Sequence, residues 1–164
     1  MGVRFNADEI FEMAEQIERN GAMFYRGAAE RFSEPPSRNK ILDLAAMEER
    51  HEKIFSSMRE ELSAGERMKM TFDPENQAAL YLQAMADTKI FTVKDDPLAA
   101  LSEGNTIADI LQTAIGLEKD SVVFYTGIRE MVPDKLGKEK INDIIKEEMG
   151  HIVDLTSQLE LLKK

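Results

Sequence analysis

A chain of 164 residues, 43% of them apolar, is long enough for one domain with a substantial core. A net charge of −10 argues against a phosphate-binding surface, so no nucleic-acid partner is expected, and no apolar run reaches bilayer-spanning length, so no membrane is expected either. With no cysteine there is no disulfide, thiolate nucleophile or Cys-bound metal, and with no signal-peptide pattern the expectation is an acidic, helical, cytoplasmic protein.

The first helical signal opens at Asn6, with Glu9 three residues on in the capping-box position. Its apolar positions Ile10, Met13, Ala14, Ile17, Phe24 and Ala28 are spaced by three, four or seven, and SEPPS (Ser33 to Ser37) ends it, because proline cannot continue the hydrogen-bond ladder. A second helix is predicted from about Arg38 to Ser63, with Ile41, Leu44, Ala45, Ile54, Phe55, Met58 and Leu62 inward and a stop at Gly65. A connector of about forty residues follows, and a structureless loop of that length is unusual. It is expected to contain a short helix capped by Asp73, with Pro74 in its first turn and Leu80, Leu82 and Met85 along it, and a further turn at DDPLAAL (Asp95 to Leu101). The third long helix opens after Asn105 and Thr106, with Asp109 near the capping position, and ends before Pro133; the fourth occupies roughly Lys138 to Leu162. No β-branched run alternates over a useful length, so no strand is expected. The reading is an all-α, four-helix bundle with one long crossover: a single domain over 1–164, with hairpins at 6–63 and 106–163 and the connector at 64–105.

An internal repeat organises these elements. A shift of 100 residues places AEQIERNGAMFYRGAAE (Ala14 to Glu30) on AIGLEKDSVVFYTGIRE (Ala114 to Glu130), and NKILDLAAMEERHEKIF on EKINDIIKEEMGHIVDL. Chance likeness of amphipathic helices would explain shared apolar spacing. It does not explain why Glu18, Tyr25, Glu48 and His51 recur in register as Glu118, Tyr125, Glu148 and His151. A spacing of 100 is not that of a solenoid; it implies two similar hairpins related by pseudo-twofold symmetry.

The chain's two histidines both lie three residues after a glutamate, in EERHE and EEMGH. Residues i and i+3 share a helix face, so Glu48 points with His51 and Glu148 with His151. Surface glutamate is the bland alternative, because Glu is abundant here, at 20 of 164 residues. The matched Glu18 and Glu118, each among apolar neighbours, weigh against it. Four buried carboxylates without compensation would be untenable. Two divalent ions balance their charge, and one imidazole with several carboxylate oxygens per ion suits iron or manganese better than the closed sites of zinc.

With these six residues the sequence resembles the ferritin-like di-iron carboxylate proteins, and within them the rubrerythrin group, which take one Glu from each of two helices and Glu-x-x-His from each of the other two. The resemblance implies metal ligation by Glu18, Glu48, His51, Glu118, Glu148 and His151, with Glu18 and Glu118 as the bridging-type carboxylates. It implies two iron ions, with manganese or adventitious zinc as substitutes, and no haem, since Glu49 stands where bacterioferritins place the haem-ligating methionine. The chain departs from typical rubrerythrins in having no Cys-rich rubredoxin-like domain. It also lacks their extra glutamate on the third long helix, where Ile115 and Ser121 flank Glu118. Tyr25 and Tyr125 read either as hydrogen-bond partners of ligand carboxylates or as an aromatic pair in the core. Glu15 and Glu147, which have no counterparts at 115 and 47, read as surface residues or as additional contacts of the site. Gly27 and Gly127 suggest a close approach of helices, and the ten methionines read as core filler.

The function implied by the resemblance is a non-haem di-iron oxidoreductase reducing hydrogen peroxide or dioxygen with electrons from a separate donor protein, in a chain that forms a homodimer. The alternative is a non-enzymatic iron-binding or iron-handling protein. Symmetry assigns one histidine to each metal, so His51→Ala and His151→Ala are expected to cost comparable occupancy.

Overall fold

The computed structural model of the chain describes residues 6–68 and 97–164, together with Gln77, Leu80, Tyr81 and Ala84. Helix α1 (Ala7–Ala29) begins with a complete capping box: the Asn6 side chain accepts from the Glu9 N–H at 2.8 Å and the Glu9 carboxylate accepts from the Asn6 N–H at 2.9 Å. Helix α2 (Pro35–Glu60) starts earlier than expected from the prolines. Both fall in its first turn, where their missing N–H groups would have had no helical acceptor. It ends at Glu60 rather than Ser63, because Ser63 and Glu66 form a second box that opens the short helix α3 (Ala64–Met68), and Gly65 lies inside it.

The expected cap Asp73 with Pro74, and Leu82 and Met85, lie outside the described residues; Gln77, Leu80, Tyr81 and Ala84 are helical. A 3-10 turn at Pro97–Ala100 occupies part of the DDPLAAL segment. Helix α4 (Ile107–Met131) opens on a Thr106–Asp109 box. After a 3-10 turn at Asp134–Leu136, Gly137 adopts φ 101°, a left-handed value, and α5 runs over Lys138–Leu161. The described residues contain no strand.

Helix α1 packs along α2 and α4 along α5, giving two hairpins that meet through α1 with α4 and α2 with α5. The core falls into two apolar clusters. One gathers Ile10, Phe11, Phe55, Phe124, Tyr125 and Ile141 among others; the other gathers Phe24, Tyr25, Ile41, Ile110, Leu111 and Leu155. Residues 100 apart fall in opposite clusters (Ile10 and Ile110, Phe24 and Phe124, Tyr25 and Tyr125, Ile41 and Ile141), so the pseudo-twofold axis crosses the bundle between them. Buried polar residues occupy that middle layer. Gly27 and Gly127 do not serve helix contact. A Cβ at Gly27 would collide with Leu98, and one at Gly127 with the Tyr81 ring, so both glycines accommodate the connector.

Candidate metal centre

Each long helix brings one part of the middle layer. Helix α1 contributes Glu18, α2 contributes Glu48 and His51, α4 contributes Glu118, and α5 contributes Glu148 and His151; all six are at most 5% exposed. They form two overlapping groups, Glu18–Glu48–His51–Glu148 and Glu48–Glu118–Glu148–His151, and within each group one oxygen or nitrogen per residue lies within 4.8 Å of all the others. This arrangement reverses one expectation. Glu48 and Glu148 belong to both groups, whereas Glu18 and Glu118 belong to one each. The shared carboxylates are those of the Glu-x-x-His helices, and Glu148 stands between the two imidazoles.

Both histidines turn Nδ1 inward. Glu148 lies between them, with Oε1 2.9 Å from His51 Nδ1 and Oε2 2.9 Å from His151 Nδ1. Glu18 is 3.5 Å from His51 Nδ1, and Glu48 and Glu118 are each 3.4 Å from His151 Nδ1. The rings stack with centroids 5.9 Å apart. Proximity here is not satisfaction: both Nδ1 atoms, Glu18 Oε2, Glu48 Oε1 and both Glu148 oxygens are buried with no properly directed hydrogen bond. Buried polar groups are almost always paired, so this many inward-facing orphans on one layer calls for a partner that takes lone pairs. Carboxylate oxygens and imidazole nitrogens in this number fit a pair of first-row divalent cations.

Charge in the metal-free layer is managed by protons. Burial pushes the Glu118 carboxyl up to about 8, with the Glu148 charge adding to it. Burial, then Glu148, Glu18 and Glu118, hold Glu48 well above the usual range. For His51 burial opposes the imidazolium, but Glu148 and Glu18 outweigh it and raise the ring to about 11; Glu118 and Glu148 likewise raise His151 to about 9. Burial would also raise Glu148, yet the imidazoles on either side of it pull it well below the carboxylate range. Protons and metal cations therefore compete for the same positions.

The two tyrosines are hydrogen-bond partners of the site as well as core aromatics. Tyr25 donates its hydroxyl to Glu118 and Tyr125 donates to Glu18, each crossing to the other hairpin. Burial foremost keeps both phenols protonated, Tyr25 beside Glu118 and Tyr125 beside Glu18. Three further residues join the layer. Gly21 makes room for Glu48, since a Cβ there would stand 3.2 Å from its Oε2; a glycine inside a helix was the available signal. Glu147 is no idle surface residue: its Oε2 lies 2.8 Å from the outward Nε2 of His51. Met47 is not mere filler, since its sulfur lies 3.3 Å from Nε2 of His151. Glu15 stays outside both groups, near Arg59 at 3.7 Å.

Among the described residues no helix is long and apolar enough to cross a membrane. The sequence matches the family model Rubrerythrin over residues 9–95, more than half of the chain. In fold, the chain is similar to a candidate ferritin-like diiron-carboxylate protein from Thermotoga maritima, with a TM-score of 0.75 and 21% identity over 96% of both chains. It is also similar to a hypothetical protein from Pyrococcus furiosus, with a TM-score of 0.70 and 23% identity over 96% of this chain and 90% of that one. Among curated proteins none matches.

Proposed function

The chain belongs to the rubrerythrin family, and from that premise we propose that it is a non-haem di-iron oxidoreductase that reduces hydrogen peroxide or dioxygen. The observation that carries this reading is the pair of overlapping Glu/His groups in which inward atoms of Glu18, Glu48, His51, Glu148 and His151 are buried and without hydrogen-bond partners. Glu18 and His51 would hold one ion, Glu118 and His151 the other, with Glu48 and Glu148 reaching both. When bound, a pair of ferrous ions would supply Lewis acidity and two electrons, enough to take peroxide to water or dioxygen to peroxide.

The rest is the protein's work. Tyr25 and Tyr125 hold one oxygen of Glu118 and of Glu18; the other oxygen of Glu18 faces His51, whereas Glu118 presents its tyrosine-held oxygen to His151. The apolar clusters on either side keep bulk water from the layer, which strengthens each electrostatic contact inside it. In this reading a separate donor protein supplies the reducing equivalents.

Anaerobic loading with Fe(II), metal analysis, and peroxide consumption in the presence of a chemical reductant test the proposal. Two irons per chain and sustained consumption are expected. Loading without turnover would replace this reading with an iron-handling one, and failure to bind iron or manganese would remove both.

A further inference from the structure

The repeat pairs position 47 with position 147, and there the two halves of the centre differ in chemistry while keeping the same geometry. Met47 on α2 reaches His151 on α5, and Glu147 on α5 reaches His51 on α2; each meets the outward Nε2 of the other helix's histidine. One imidazole therefore has a carboxylate behind it at 2.8 Å and the other a thioether at 3.3 Å. A carboxylate is a strong, charge-assisted acceptor, whereas a thioether sulfur is a weak one.

We propose that the Glu147/Met47 exchange makes the two metal positions unequal, with Glu147 as a positioning residue that makes the Glu18–Glu48–His51–Glu148 position the tighter one for a divalent cation. The inference rests on the two-metal reading above. A carboxylate accepting from Nε2–H fixes the tautomer that leaves the Nδ1 lone pair inward, holds the ring plane, and shifts electron density toward Nδ1. At His151 the thioether does each of these less well, so the ring is less firmly oriented and is a poorer donor. Removal of such an outer partner typically costs 10–100-fold in metal affinity. The Glu147 side chain is 43% exposed, so water competes for its carboxylate and the lower end, about tenfold, is expected. The symmetric outcome expected from the repeat alone, equal losses on removing either histidine, is thereby replaced.

Unequal binding steps in the wild-type chain are not by themselves the test, because two neighbouring cations repel and weaken the second step even at a symmetric centre. The test isolates one position at a time by anaerobic Co(II) titration, followed by calorimetry and by the cobalt d–d absorption. His151→Ala leaves the His51 position and is expected to bind its remaining Co(II) about tenfold more tightly than His51→Ala binds its own. In a Glu147→Met background the two histidine variants should converge. Met47→Glu, in a chain with both histidines intact, should tighten the second binding step by about tenfold, which keeps the test independent of how well the histidine variants fold. Equal Co(II) affinities in the two histidine variants, or a difference that survives Glu147→Met, would overturn the inference, as would a second step unmoved by Met47→Glu. A wild-type chain that takes up no Co(II) would sink the two-metal reading and this inference with it, an outcome distinct from two bound ions of equal standing.

Discussion

Glu48 and Glu148 each touch both groups of the centre, while Glu18 and Glu118 touch one each, and this difference has a stoichiometric consequence. Glu48→Ala or Glu148→Ala removes a donor from both positions, so metal content after loading should fall toward zero. Glu18→Ala or Glu118→Ala should leave content nearer one ion per chain; metal analysis on the four variants separates the cases, and equal losses in all four would refute the sharing. The tyrosines act at the same scale. Tyr25→Phe keeps the ring's shape in its cluster but leaves a Glu118 oxygen without its donor, and Tyr125→Phe does the same to Glu18. Each should destabilise the metal-free protein by about 1–3 kcal/mol, read from urea unfolding midpoints. A change near zero would mean that the hydroxyls face no carboxylate.

At the scale of elements, α1, α3 and α4 carry their own start signals, while Tyr81 of the connector is placed by contacts with α4. The boxes at Asn6–Glu9, Ser63–Glu66 and Thr106–Asp109 each satisfy helix-start N–H groups locally. Tyr81 instead lies over α4, in space left by Gly127, and donates its hydroxyl to the Val123 carbonyl at 2.5 Å. Gly127→Ala gains helix propensity of about 1 kcal/mol but displaces a ring that cannot bend away. The expected result is little change in melting temperature and several-fold faster proteolysis between residues 68 and 97, mapped by mass spectrometry. Gly27→Ala meets the tip of a flexible Leu98 side chain and should accelerate cleavage less. Equal protease resistance in wild type and Gly127→Ala would show that Tyr81 does not anchor the connector.

For the whole molecule, a bundle with a charged layer at its waist couples stability to pH and metal together. His51 and His151 rise to about 11 and about 9 from an ordinary 6.5, and Glu118 rises to about 8 from 4.5. A group raised in the folded state contributes stability that is complete below its unfolded value and is lost as pH climbs through its folded value. The metal-free protein should therefore melt at progressively lower temperature as pH rises from about 6.5 to about 9. The metal-loaded protein should lose this slope over the same range, because cations displace those protons and the loaded and unfolded chains then both hold neutral imidazoles and ionised carboxylates. Calorimetric scans of chelator-treated and loaded samples check both slopes; parallel slopes would mean that protons and metal do not share the site.

Much of this was legible in the chain because it is local or periodic. Helical spacing and capping boxes depend on neighbours within four residues, and the i, i+3 geometry of Glu48–His51 and Glu148–His151 follows from the helix itself. The 100-residue repeat carried the remaining step, since it put Glu18 and Glu118 in matched register and made one shared layer the simplest arrangement. Tertiary structure decided everything that depends on distances between helices. Which carboxylates the two groups share follows from the facing of α2 and α5, and spacing along one helix cannot report it. That Gly27 and Gly127 receive connector side chains, and that Glu147 and Met47 back opposite histidines, follows from side chains meeting across elements far apart in sequence. A sequence lists the donors on each helix face; only packing brings two faces close enough to assign them partners.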